Sequence, residues 1–128
     1  MDMPWTTLAD ANPSGEYLVL LSYLPLRKYS KIPAFFRYML QIQRQLRETP
    51  GLIGYTMRAK ILSRNFWTLS VWQSEGSLID FVTKVPHREA MKKISPYMAA
   101  TKFTRWKARG SAIPPDWADA MRREAKEI

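Results

Sequence analysis

One side chain in the sequence can gain and lose a proton near neutral pH. His87 is the only histidine among the 128 residues, and imidazole is the side chain whose ordinary pKa lies in that range. It directly follows Pro86, which could turn the start of a helix towards a pocket, although a proline–histidine pair is also common as a simple surface cap. His87 is therefore the first candidate for general acid–base chemistry.

Aromatic and polar side chains that could line a pocket recur along the chain. Taken singly, each is most simply explained by packing in a core or an interface. Taken together they favour a cavity, because buried indole and phenol groups need hydrogen-bond partners. Beside His87, the candidates are Tyr23, Tyr55, Asn65, Trp67, Trp72, Phe81 and Met91.

Several other kinds of site are excluded by composition. The chain has no cysteine, which removes disulfides, thiolate metal sites and a cysteine nucleophile, and a protein-only zinc site is not expected with a single histidine. Neither a glycine-rich phosphate loop nor a Gly-x-Ser-x-Gly elbow occurs. The missing cysteines, the absence of a leader pattern and the short apolar runs together predict a cytoplasmic protein without a membrane span.

The elements that would position these residues can be read from periodicity and breakers. A run that is apolar on both faces predicts a strand, alternation of period two predicts the next two strands, and stripes at spacings of three and four predict helices. Ser30 and Ser74 are candidate N-caps, and prolines mark the ends. The predicted order is strand 16–24, helix 30–48, strand 52–62, strand 66–73, a helix from 75 interrupted at Pro86 and ending at 95, strand 102–109, and a last helix after Asp116.

This βαββαβ order predicts an α+β, ferredoxin-like antiparallel sheet with two helices on one face. We assign residues 1–15 to a loose N-terminal arm, 16–110 to the ferredoxin-like domain and 111–128 to a C-terminal helical tail. The second face of the sheet is too apolar for water, which favours a homodimer whose sheets stack into a dimeric α+β barrel. Alternatively, the arm or the tail covers that face.

Residues 66–81 and 86–91 also resemble a known superfamily. An aromatic strand ending in Trp72, an acidic helix start at Glu75, the step from Leu78 to Phe81 and the downstream His87 are similar to the dimeric α+β barrels, in particular the antibiotic-biosynthesis-monooxygenase-like and spheroidene-monooxygenase-like proteins. The resemblance spans about residues 16 to 109. It implies a barrel cavity between sheet and helices that binds a small apolar or aromatic molecule. Because this fold hosts many functions, the activity does not follow automatically.

Two chemistries are implied by the resemblance. In a haem protein, His87 would be the axial ligand in a pocket with Phe81 and Met91. Without a cofactor, a monooxygenase would let an electron-rich substrate react with oxygen itself, with His87, Asn65 and Trp72 as catalytic candidates. The substrate pocket would then hold Tyr23, Tyr55, Trp67, Phe81 and Met91.

The net charge of +9 leaves a third class open. Ferredoxin-like sheets can bind RNA by stacking bases on exposed aromatics, and four cations crowd the last strand around Trp106, namely Lys102, Arg105, Lys107 and Arg109. The third strand lacks the aromatic motif of an RNA-recognition module, however, so nucleic acid is a less favoured partner. A barrel without catalytic activity is the remaining alternative.

Overall fold

The computed structural model describes residues 1–126, apart from the side chains of Val85 and Pro86. Its strands are β1 (Thr6–Thr7), β2 (Glu16–Pro25), β3 (Leu52–Lys60), β4 (Asn65–Trp72) and β5 (Lys102–Arg109). Its helices are α1 (Ile32–Arg47), α2 (Glu75–Thr83), α3 (Val85–Ile94) and α4 (Trp117–Lys126). All strand pairs are antiparallel, and the order across the sheet is β1-β3-β4-β2-β5. The predicted ferredoxin-like α+β fold is therefore confirmed, with one additional edge strand.

The helix boundaries follow local chemistry. Ser74 caps α2 as predicted, since its hydroxyl accepts a hydrogen bond from the Ser77 amide at 3.2 Å. The expected cap by Ser30 is wrong, because Lys31 precedes α1 without a side-chain cap. Pro33 in the first turn needs no amide partner there, and α1 ends before Pro50.

The N-terminal arm is paired and not loose as the sequence suggested. Its amides and carbonyls run along the outer edge of β3, with hydrogen bonds from Met3 to Met57 and from Leu8 to Ile53. Arg58 also holds Asp2 through a two-pronged ion pair at 2.6 and 2.8 Å. The backbone supplies this pairing, which a periodicity search cannot detect.

The two faces of the sheet carry separate apolar clusters. Alternate residues of β2, such as Leu20 and Leu24, face α1, α2 and α3, whereas Val19 and Leu21 face the opposite way. A bulge between Leu52 and Gly54 shifts the alternation in β3. Ile53 therefore packs in the second cluster, whereas Tyr55, Met57 and Ala59 belong to the first.

The second sheet face is covered within the chain. Trp5 of the arm and Ile113, Trp117 and Met121 of the tail pack against it, and Ala120 is completely buried there. The apolar character of this face was the reason to expect a stacked dimer. Since the arm and α4 cover it, that reason no longer applies, and the alternative explanation given by the sequence accounts for the face.

Candidate functional site

A cavity of about 340 Å³ lies between the other sheet face and the helix layer. Its walls are mostly apolar and come from every large element except α4. The residues that line it are Leu20, Ser22, Leu24, Met39, Ile42, Gln43, Leu46, Tyr55, Thr56, Met57, Thr68, Ser70, Trp72, Leu78, Ile79, Phe81, Val82, His87, Met91, Phe103 and Arg105. Five predicted site residues, namely His87, Trp72, Tyr55, Phe81 and Met91, are thus brought together.

Small polar side chains on neighbouring strands form the floor of the cavity. Ser22 of β2 pairs directly with Thr68 of β4, where larger residues would fill the space below the helices. Next to them, the Trp72 indole N–H donates to the Ser70 hydroxyl at 2.8 Å. This bond satisfies a tryptophan that is 1% exposed and fixes its ring along the floor.

His87 borders the cavity from the first turn of α3. Its ring lies 4.9 Å from that of Phe81, centroid to centroid. Its Nδ1 is buried and has no hydrogen-bond partner among the described residues. Burial lowers the pKa of His87 and is the larger effect, whereas a backbone hydrogen bond with Val82 acts in the opposite direction. At neutral pH the ring is therefore uncharged.

The cavity is bordered by exposed residues of α2 and the edge strand β5. Ile79 and Phe103 line it and remain about half exposed, at 50% and 51%. Arg105 follows Phe103 by two positions on the same strand face and is the one permanently charged side chain among the described lining residues. Its Nη1 donates to Glu75 Oε1 at 2.9 Å, across from β5 to the first turn of α2.

Three predicted site residues lie on the opposite sheet face. The Tyr23 hydroxyl donates to Asn65 Oδ1 at 2.7 Å, and the rings of Tyr23 and Trp67 stack at 5.3 Å. The Trp67 indole donates to Glu124 of α4 at 3.1 Å. Tyr23 and Trp67 pack in the cluster that includes α4, and none of the three residues is among those that line the cavity, so the structure does not bring them together with His87.

The two aromatic side chains of β5 do not share a face of the sheet. Phe103 is half exposed on the helix side and Trp106 lies on the other side, so they do not form a common platform on which RNA bases could stack. Trp106 packs on the second face beneath Arg123, whose guanidinium lies 4.9 Å from the ring centre. Arg105 and Lys107 pair with glutamates.

Solved structures of other proteins share the architecture of this chain. SnoaB, a cofactor-independent oxygenase from Streptomyces nogalater, aligns with 78% of this chain and 98% of its own at 12% identity, with a TM-score of 0.61. A candidate antibiotic biosynthesis monooxygenase from Nitrosomonas europaea aligns with 79% of this chain and 94% of its own, at 14% identity and a TM-score of 0.68. The chain has the fold of the antibiotic-biosynthesis-monooxygenase-like proteins.

The matches differ in how much of the other protein they cover. A candidate monooxygenase from Lactobacillus acidophilus NCFM aligns with 83% of this chain but only 51% of its own, at 11% identity and a TM-score of 0.66. This chain therefore spans about half the length of that protein. No protein-family model and no curated protein sequence matches the chain.

Metal-binding clusters and membrane-spanning helices are both absent from the described residues. Residues 1–126 contain no cluster of three or more histidine, cysteine or acidic side chains placed to hold a metal ion. None of the helices in that part of the chain is both long enough and apolar enough to cross a bilayer.

Sequence reasoning missed the polar side chains at the floor and at the exposed border of the cavity. Ser22, Thr68 and Ser70 interrupt otherwise apolar strands at alternating positions, which is a readable signal for space on one sheet face. Arg105 carried no comparable signal, because its nearness to the cavity depends on how α2 packs beside β5.

Proposed function

We propose that the protein binds a small, electron-rich aromatic molecule in the helix-side cavity and promotes its reaction with oxygen without a cofactor. The observation that carries the proposal is the buried, unpartnered Nδ1 of His87 at the wall of an apolar cavity. Buried polar atoms are normally satisfied, so an unpartnered ring nitrogen at a cavity wall favours a ligand that forms a hydrogen bond with it. The cavity volume lies within the range of about 300–1,000 Å³ that is usual for small-molecule pockets.

The chemistry would begin with proton removal. A neutral His87 can accept a proton from a phenolic hydroxyl or an activated ring methylene, because burial keeps its pKa low. The resulting anion is electron-rich enough to react with oxygen. In the simplest balanced case a ring CH₂ and O₂ give a ring carbonyl and water. The hydroxyls of Ser22 and Thr68 on the floor are available to hold the substrate oxygen.

A haem fits this cavity less well. Its two propionates would be favoured by basic side chains, yet Arg105 is the one permanent cation among the described lining residues and is already paired with Glu75. At about 340 Å³, the cavity is also near the lower end of the range for small ligands. We therefore assign no step to a haem.

Oxygen uptake with the anthrone dithranol, corrected for spontaneous oxidation, tests the proposal. The wild-type protein should accelerate uptake, and His87→Gln should lose about 10²-fold or more of that acceleration, as expected for removal of a general base. Tyr23→Phe is the matched control, because its hydroxyl lies on the other sheet face, and should retain it. Binding measured by calorimetry without accelerated uptake would reject the oxygenase and leave a non-catalytic binding protein. If the protein neither bound dithranol nor accelerated oxygen uptake, the whole proposal would be rejected.

A further inference from the structure

We propose that Arg105 determines specificity by binding a carboxylate of the substrate, which makes the preferred ligand an aromatic acid. This inference rests on the proposed function and names the substrate class of the same cavity. The relevant observation is the contrast between the lining, which is mostly apolar, and Arg105, the one permanent cation among its described residues, at the exposed border. A ligand with an apolar ring system and one acidic group would match both features.

The ion pair between Arg105 and Glu75 is suited to exchange. Both side chains are more than half exposed, at 54% and 65%, and a pair of this kind contributes only about 0–1 kcal/mol to stability. Arg105 has one hydrogen bond to this partner, whereas a guanidinium offers five N–H donors and binds carboxylates through two of them. A substrate carboxylate can therefore share or replace Glu75 at small cost.

The surroundings of Arg105 favour entry of the same kind of molecule. Phe103 and Ile79 expose apolar surface beside it and can contact the ring system of an entering ligand. Glu75 lies in the first turn of α2, where the helix dipole stabilises its carboxylate even when the arginine is withdrawn. The net charge of +9 also raises the local concentration of anions around the protein.

Three ligands test this inference independently of the proposed function. They are 6-hydroxy-2-naphthoic acid, its methyl ester and 2-naphthol, each titrated calorimetrically into the wild-type protein at low salt. All three should bind if the cavity takes hydroxylated aromatics, and the acid should bind about tenfold more tightly than the ester, as for one charge-assisted contact at a partly exposed site. If none of the three ligands bound, the proposed function itself would be refuted.

Three variants test whether Arg105 is the residue that causes the preference for the acid over the ester. Arg105→Gln should bind acid and ester equally while keeping the affinity for the ester. Lys107→Gln, two residues along the same strand face and outside the cavity lining, should retain the tenfold preference. Glu75→Gln removes the competing carboxylate and should tighten binding of the acid alone by about threefold. Equal affinities in the wild type, or a preference that survives Arg105→Gln, would overturn the inference.

Discussion

Replacing Ala120 with glutamate should detach α4 from the sheet. Ala120 has no exposed surface and lies between the helix and the second apolar cluster. Ala118, two positions earlier on the same helix, is exposed. The pair Ala120→Glu and Ala118→Glu therefore adds the same charge and the same helix-forming residue, and differs only in the face that receives it.

The loss of stability cannot exceed the free energy that docking of α4 contributes to folding. An unpaired carboxylate in this contact would lose several kcal/mol of hydration. Docking buries Ala120 fully and Trp117 and Met121 in part, and such burial contributes roughly 3 kcal/mol in total. Because the penalty is at least as large as this contribution, the helix is expected to leave the sheet while the rest of the domain stays folded.

Thermal melting followed by circular dichroism measures the loss. For a domain of this size, 3 kcal/mol corresponds to a decrease in Tm of roughly 12 °C. The uncovered face should also make Ala120→Glu self-associate in sedimentation velocity at concentrations where Ala118→Glu does not. Equal melting temperatures and equal sedimentation of the two variants would show that α4 does not cover the sheet as described.

Three further substitutions or conditions test other parts of the structure. Gly54→Ala should lose about 1–3 kcal/mol and speed amide exchange in the arm, because the added Cβ would lie 2.4 Å from the Trp5 ring. Gly76→Ala is the control and should not destabilise the protein, because the atom nearest to its added Cβ, Ser74 Oγ, is 3.8 Å away. Trp72→Phe should cost about 1–3 kcal/mol in urea unfolding, since it removes a buried indole hydrogen bond, and should favour larger ligands; unchanged ligand preference would place the ring outside the cavity. The lowered pKa of His87 means that its contribution to stability is complete above about pH 6.5 and is lost as the pH falls through 6.5 towards the folded-state pKa. His87→Gln should abolish that slope, and an identical pH profile for this variant would contradict the burial of the ring.

The order of elements was predictable because each element carries its own pattern. The two-sided apolar run of β2, the stripe of α1 and the alternation of β4 are local signals, and the serine cap of α2 is another. The arm was not predictable, because Thr6 and Thr7 join the sheet through backbone bonds alone. The cover on the second face was only an alternative, because sequence cannot tell a partner subunit from the chain's own tail.

The candidate site was half predictable for a similar reason. Alternation in β4 places Trp72 on one face and both Asn65 and Trp67 on the other, and this rule alone would have separated the three residues. His87 was found because it is chemically unique in the chain. Arg105 was assigned to a nucleic-acid surface, because its position beside the cavity depends on tertiary packing.

The histidine offers the most direct test of the account. Since the untagged chain has one histidine, its imidazole proton resonances need no assignment by mutation, and their pH titration reports the pKa of His87 alone. The pKa of His87 is expected to lie below 6.5 in the free protein and to decrease further when 2-naphthol is bound, because a hydroxyl that donates to Nδ1 stabilises the neutral ring. A pKa at or above 6.5 that saturating 2-naphthol leaves unchanged would contradict this expectation.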